Sequence, residues 1–151
     1  MPIIWVDADA TPRPVRDVIC KAAVRTEMTA YFVANHLLPL PPSPFLKAVQ
    51  VEAGFDVADN VIVQRCNAGD LVITQDIPLA AEAIEKGADV FNPRGQAFTK
   101  ENIRQRLAMR NFMEEMRNAG QVTGGPAPFS QGDRKEFADQ LDRWLQRNAR
   151  K

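Results

Sequence analysis

Five aspartates have the residue type and spacing that could do chemistry; they are Asp7, Asp9, Asp56, Asp59 and Asp76. The first two come directly after the apolar run PIIWV at 2–6, and the last follows the apolar run LVIT at 71–74. The middle two are three residues apart, so a helix would place them on one face. Carboxylates gathered in one place repel each other unless a cation neutralises them. Ligands that are all oxygen favour Mg²⁺ or Mn²⁺ over zinc.

A hard divalent cation held by aspartates suits phosphoryl chemistry, because it polarises phosphate and activates water. Each aspartate also has a plain structural interpretation. Asp9 or Thr11 could cap a helix at 12–26, Asp56 could cap the helix that it opens, and Asp76 could cap the helix that follows it. Asp59 could face water. From the residues alone, both interpretations stay open.

Short apolar segments alternate with amphipathic ones along the chain. The predicted strands are 2–6, 29–34, 45–51, 71–74 and 88–91, and the predicted helices are 12–26, 55–66, the segment after Asp76, 99–118 and the segment after Ser130. This alternation predicts an α/β fold of three layers, with a mostly parallel central sheet between helices. Ligands bind such sheets beyond the carboxyl ends of the strands. If strand 2–6 and strand 71–74 are neighbours, Asp7, Asp9 and Asp76 should converge there.

Four further side chains are candidates for binding a substrate: Asn35, Ser43, Thr74 and Arg94. Asn35 ends the second strand and could hydrogen-bond Asp7 or a substrate. Arg94 ends the strand at 88–91, where a phosphate contact is expected, although a solvated arginine in a turn fits equally well. The Ser43 hydroxyl could reach a phosphate or simply brace the proline-rich turn.

Composition sets the broad class. The chain has 151 residues, of which 45 % are hydrophobic, so we expect one domain over 1–151. No segment predicts a membrane span, and the two cysteines are expected to be buried thiols of a cytoplasmic protein. Residues 1–93 carry 7 Lys or Arg against 12 Asp or Glu, and residues 94–151 carry the reverse. This asymmetry suits a metal centre beside a phosphate-contacting surface, although merely solvated helices explain it too.

The chain resembles the YaiI/YqxD family of bacterial proteins, a PIN-like branch, through the stretches VDAD, PPSPF, GFDVADN, GDLVITQDIPLA, NPRG and SQGDRKEFADQLDRW. The resemblance implies a PIN-like domain over 1–151, with C-terminal helices from about residue 99 packed on the same core. It also implies Mg²⁺- or Mn²⁺-dependent cleavage of phosphodiester bonds, with RNA as the expected partner. In that pattern Asp7, Asp59 and Asp76 are metal ligands, and Asp9 and Asp56 are ligands or their hydrogen-bond partners. The implied catalytic residues are Asp7, Asp9, Asp59 and Asp76.

Two alternatives remain beside the nuclease. Many PIN domains carry another acid after the strand that corresponds to 88–91, but residues 91–95 read FNPRG, which favours a non-catalytic module that binds nucleic acid or protein. DADAT also resembles the D-x-D-x-T motif of haloacid-dehalogenase phosphatases, in which the first aspartate is the nucleophile and the second a general acid/base. That family inserts a helical turn and a hairpin flap after the motif, whereas TPRPVRDVI leads directly into a helix.

Overall fold

The computed structural model describes residues 2–54, 57–120 and 128–148. Within these residues the chain alternates strands and helices. The strands are β1 (Ile4–Asp7), β2 (Ala30–Ala34), β3 (Leu46–Gln50), β4 (Leu71–Ile73), β5 (Asp89–Phe91) and β6 (Ala97–Phe98). The helices are α1 (Arg13–Thr26), α2 (Val57–Arg65), α3 (Ile77–Glu85), α4 (Ile103–Asn118) and α5 (Gln131–Asn148).

The strands form one sheet in the order β3-β2-β1-β4-β5-β6. Neighbours from β3 to β5 pair in parallel, and β6 pairs antiparallel with β5. The predicted α/β fold with a mostly parallel sheet is therefore confirmed. From β1 the chain builds β2 and β3 on one side and then β4 and β5 on the other, so the strand order reverses between β1 and β4. That reversal point is where ligands bind in sheets of this type.

Helices cover both faces of the sheet. Successive strand residues point to opposite faces, so Ile4 and Val6 of β1 pack in the core beneath α1 and α5. Trp5, between them, packs in a second core beneath α2, α3 and α4. The strand pairs β1–β2 and β1–β4 are thus buried on both sides. Packing on both faces holds β1 in place, and with it Asp7 at the end of the strand.

The last helix closes the first of these cores. Its predicted apolar stripe is buried as expected, and it consists of Phe137, Leu141, Trp144 and Leu145. Gly95 permits the close approach, because a Cβ atom there would lie 2.6 Å from the carbonyl carbon of Glu136. Gly95 also has φ +86°, a conformation that favours glycine. The predicted capping box is confirmed: Ser130 N–H donates to Asp133 Oδ2 and Asp133 N–H donates to Ser130 Oγ.

Three local predictions need correction. The short strand β6 was not predicted, because two residues give no periodic signal. Helix α4 begins at Ile103 rather than at residue 99, since Thr99 and Asn102 bond each other's backbone N–H and hold a turn first. Helix α1 begins after Pro12, and the Thr11 hydroxyl donates to the Asp7 carbonyl oxygen instead of capping the helix.

Cys20 and Cys66 are buried free thiols, as predicted. In the described ranges, no helix has the length and apolar character that crossing a membrane requires. The assignment of 1–151 to one domain stays a prediction.

Candidate active site

Asp7 is the buried carboxylate at the carboxyl end of β1. It lies next to the point between β1 and β4 where the strand order reverses, which is the expected ligand site. The residue is 6 % exposed. Burial raises the pKa of Asp7, a hydrogen bond from Thr74 opposes this, and the nearby charges of Asp76 and Asp9 raise the pKa further. The three aspartates therefore lie close enough for Asp7 to experience the other two. This is the convergence that the strand ends predicted.

The two carboxylate oxygens of Asp7 differ in their partners. Asp7 Oδ2 accepts a hydrogen bond from Thr74 Oγ1 at 2.9 Å, while Oδ1 has no hydrogen-bond donor among the described residues. In that same part of the chain, no fully enclosed side-chain nitrogen or oxygen lacks a partner. Asp7 Oδ1 is therefore not fully enclosed. A buried charge with one open oxygen is available to a ligand.

Thr74 links the two strand ends. Its hydroxyl donates to Asp7 and accepts from the Asp76 N–H at 3.0 Å. Asp76 in turn caps α3, because its Oδ1 accepts from the Leu79 N–H at 2.9 Å. The structural interpretation of Asp76 as a helix cap is thus correct for one of its two carboxylate oxygens. Thr74 is fully buried, so it holds Asp7 and the start of α3 in a defined relation.

Asp9 reaches across to the end of β2. Its Oδ2 accepts from the Asn35 backbone N–H at 2.8 Å, and its Oδ1 lies 3.0 Å from His36 Nδ1. Asn35 was expected to bond Asp7 or a substrate; its backbone N–H bonds Asp9, no described bond joins its side chain to Asp7, and its binding of a substrate stays a prediction. Asp9 does not cap α1, since no side chain caps that helix.

The turn that carries Asp9 is held by a hydrogen bond from the residue before Asp76. After β1 the chain makes a 3-10 turn at Ala8–Ala10, and the Gln75 side chain donates from Nε2 to the Ala10 carbonyl oxygen at 2.8 Å. Gln75 was not among the predicted residues, because no spacing rule relates it to residue 10. Residues 8–12 hold this turn and no hairpin, so the flap of haloacid-dehalogenase phosphatases is absent at that point.

The other two of the five aspartates are Asp59 and Asp56. Asp59 lies half-buried in the first turn of α2, and Asp56 lies outside the described residues. Among the described residues, no three Asp, Glu, His or Cys side chains are grouped closely enough to hold one metal ion. Asp9 and Asp76 each direct one carboxylate oxygen to a backbone N–H. The metal assignments of Asp7, Asp9, Asp56, Asp59 and Asp76 stay predictions.

Ser43 lies away from Asp7, whereas Arg94 lies at the same carboxyl edge of the sheet, beyond β4. Ser43 precedes β3, at the opposite end of the parallel strands, and its Oγ accepts from the Phe45 N–H. Arg94 follows β5, and its guanidinium forms an ion pair with Asp133 at 3.0 Å. Asp133 lies in the first turn of α5, so this pair ties the turn after β5 to the last helix.

Comparison with known proteins gives the family. The family model described as "Uncharacterized BCR, YaiI/YqxD family" matches residues 5–147. A "UPF0178 protein" of Marinobacter nauticus is 78 % identical over 98 % of this chain and 99 % of its own length. Proteins of the same name are 58 % identical in Shewanella amazonensis, over 95 % of this chain and 97 % of their own length, and 57 % identical in a Janthinobacterium species, over 98 % of both.

These names state neither a substrate nor an activity. No solved structure gives a significant match to the chain. The family match covers every described candidate residue discussed above, and all strands and helices apart from Ile4 of β1 and Asn148 of α5. This chain belongs to the YaiI/YqxD family.

Proposed function

We propose that the protein is a Mg²⁺- or Mn²⁺-dependent nuclease with a PIN-like fold that hydrolyses phosphodiester bonds in RNA. The observation that carries the proposal is Asp7: a buried carboxylate, at the reversal of strand order, with its pKa raised by burial and by two neighbouring acids. Such a group favours a cationic partner, and perturbed groups of this kind cluster at functional sites.

The chemistry of the donors fits a hard cation. Asp7 and Asp76 offer carboxylate oxygens, Thr74 hydrogen-bonds the Asp7 carboxylate and the Asp76 backbone N–H, and the charge of Asp76 acts on Asp7. Mg²⁺ is commonly bound through one or two carboxylates and keeps several waters, so a group of three side chains is not a requirement. We expect Asp7 and Asp76 to hold the ion, with Asp9, Asp59 and Asp56 as further candidates. When bound, such a cation supplies Lewis-acid stabilisation of charge on the phosphate oxygens.

The surrounding residues position the substrate and the acids. Thr74 fixes the orientation of the Asp7 carboxylate by donating to Oδ2, which leaves Oδ1 without a donor among the described residues. His36 beside Asp9 supplies a polar side chain at the same rim, 55 % exposed and able to meet a phosphate or ribose oxygen. Asp9 holds that histidine in place. We also propose a cytoplasmic location, because the two thiols are free.

A non-catalytic PIN-like module is the second candidate. One observation favours it: the turn after β5 carries Arg94, paired with Asp133, where many PIN domains carry an acid. A module of this kind would bind nucleic acid or a protein without cutting it. The phosphatase alternative lacks comparable support, since α1 follows directly on residues 8–12.

Metal titration combined with cleavage assays separates the candidates. The nuclease is expected to bind Mn²⁺ and to degrade a generic RNA, and Asp7→Asn should lower the rate on the order of 10³-fold, because several kcal/mol of charge stabilisation is lost. Glu82→Gln is the matched control, since it removes one exposed carboxylate from α3 and should leave the rate unchanged. Circular dichroism checks that the Asp7 variant is folded.

Other results would assign the protein differently. Binding of Mn²⁺ without turnover of RNA or DNA would indicate the binding module. Hydrolysis of a small phosphate ester through a covalent aspartyl-phosphate would indicate the phosphatase. RNA cleavage that persists in excess chelator, or in Asp7→Asn, would contradict the proposed site.

A further inference from the structure

A cleft of about 400 Å³ lies beside the Asp7 site, between the first half of α1 and the segment 36–41. Helix α1 starts at the carboxyl end of the sheet, and the segment 36–41 leaves that same end after β2. The basic side chains that line the cleft are Arg13, Arg16 and His36. Its volume is in the range of sites that hold small ligands.

The two arginines are available to an anion. Arg13 is exposed and Arg16 is half-buried. Neither forms an ion pair or a side-chain hydrogen bond with a described residue. Asp17 is the one carboxylate on the lining, so the arginines outnumber it. Guanidinium groups bind phosphate in a bidentate manner, and a phosphate is therefore the anion that this cleft suits.

The opposite wall is apolar. Residues 38–41 read Leu-Pro-Leu-Pro, and all four line the cleft. The Cys20 thiol also lines it, and burial together with Asp17 raises the pKa of Cys20 to about 11, so the sulfur is uncharged at neutral pH. A cleft with guanidinium groups on one wall and apolar side chains on the other matches a nucleotide, which has a charged phosphate at one end and a planar, less polar base at the other.

His36 joins the cleft to the acidic site. Its ring lines the cleft, and its Nδ1 lies 3.0 Å from Asp9 Oδ1. A nucleic acid strand whose phosphodiester lies at Asp7 would continue past His36 into the cleft. His36 therefore lies between the acidic residues around Asp7 and the arginines of the cleft, and the two sites are adjacent.

We propose that this cleft binds one nucleotide of a single-stranded RNA, next to the phosphodiester at Asp7, with the phosphate held by Arg13 and Arg16 and the base against residues 38–41. This subsite rests on the proposed nuclease function for its substrate class. It predicts binding of RNA even where no cleavage takes place. The binding site and the catalytic site can therefore be tested separately.

The test measures binding of a fluorescein-labelled oligouridylate by fluorescence anisotropy, without divalent cations and at several salt concentrations. Arg13→Gln combined with Arg16→Gln should weaken binding about tenfold or more, since two charge-assisted contacts are lost. The plot of log affinity against log salt should become shallower by about 0.7, because the two arginines hold one phosphate and each neutralised phosphate of a single strand contributes about 0.7. Arg104→Gln combined with Arg117→Gln removes two exposed arginines of α4 and should change affinity less than about twofold.

A second variant tests the apolar wall without touching the arginines. Pro39→Glu places a carboxylate on an exposed position of the wall and should weaken binding several-fold through repulsion of the phosphate. Wild-type protein that does not bind the RNA overturns the subsite. Equal losses in the α1 and α4 double variants overturn it as well. RNA binding that depends on Arg13 and Arg16 in a protein that never cleaves RNA would support the subsite and contradict the nuclease function. RNA cleavage with an unchanged KM in the variant that lacks both arginines would support the nuclease function and contradict the subsite.

Discussion

Two carboxylates are buried at opposite ends of the central strands, and their surroundings differ. Asp70, at the amino end of β4, is 4 % exposed and accepts from three donors: the N–H groups of Ile3 and Asn67 and the indole Nε1 of Trp5. Asp7, at the carboxyl end of β1, is 6 % exposed and accepts one hydrogen bond from Thr74 among the described residues. Its other neighbours include two further acids, which raise its pKa.

This comparison indicates that Asp70 has a structural role and that Asp7 is able to bind a ligand. Hydrogen-bond donors compensate a buried charge and can lock it in place. Asp70 is compensated in this way, and it ties β1 to the loop before β4. Asp7 is instead surrounded by charge of its own sign. In the sequence Asp7 follows an apolar run and Asp70 precedes one, but only the structure shows that donors compensate Asp70 and that Asp7 has two acids nearby.

The largest expected effect is on the stability contributed by Asp70. Asp70→Asn should lower the free energy of unfolding by about 3 kcal/mol, because an amide NH₂ would face an N–H donor and one charge-assisted bond would be lost. Chemical denaturation measures this. Asp89→Asn is the control, since Asp89 also accepts from an indole, that of Trp144, but is exposed. A smaller loss for Asp70→Asn than for Asp89→Asn would contradict the structural role.

Thr74→Val should have an intermediate effect. The substitution keeps the shape but removes the hydroxyl that donates to Asp7 and accepts from the Asp76 N–H. We expect a loss of about 2 kcal/mol in unfolding free energy, within the range for leaving buried polar groups unpaired. Thr74→Ser keeps the hydroxyl and should recover part of the loss. If the serine and valine variants were equally unstable, the hydrogen bonds would not be the cause.

Asp7→Asn should have the smallest effect on the free energy of unfolding, and at neutral pH it should raise this free energy instead of lowering it. The folded protein raises the pKa of Asp7 above its ordinary 3.8, so the wild-type carboxyl favours folding most below that pH and loses this contribution as pH rises through the folded-state pKa. At neutral pH the asparagine variant should therefore be more stable by roughly 1 kcal/mol. Denaturation from acid to neutral pH should show the advantage vanishing near pH 3.8. A variant less stable than wild type at neutral pH would contradict this account of Asp7.

Several elements could be predicted from the sequence because their signals are local. The apolar runs at β1 and β4, the stripe of Phe137 and Trp144 in α5, and the Ser130–Asp133 capping box all depend on neighbours within a few residues. The end of the sheet that carries the candidate site also followed from the alternation of strands and helices. The two-residue strand β6 carries no comparable signal.

The partners of the acids could not be predicted in the same way. Asp9 bonds Asn35 and His36, which come 26 and 27 positions later in the chain, and Asp7 bonds Thr74, which is 67 positions away. Such contacts depend on which strands are neighbours. The cleft of Arg13 and Arg16 is a further case, because its second wall arrives only after β2.

The sequence by itself determined the α/β class, the family and the aspartates that end the buried strands, since apolar period, capping residues and motifs act over short distances. Tertiary structure alone decided that one buried aspartate is compensated by donors and the other is surrounded by acids. It also decided that a basic cleft lies beside those acids. The physical reason is that the cost of a buried charge is set by the groups around it in space, and strand order brings those groups together from distant parts of the chain.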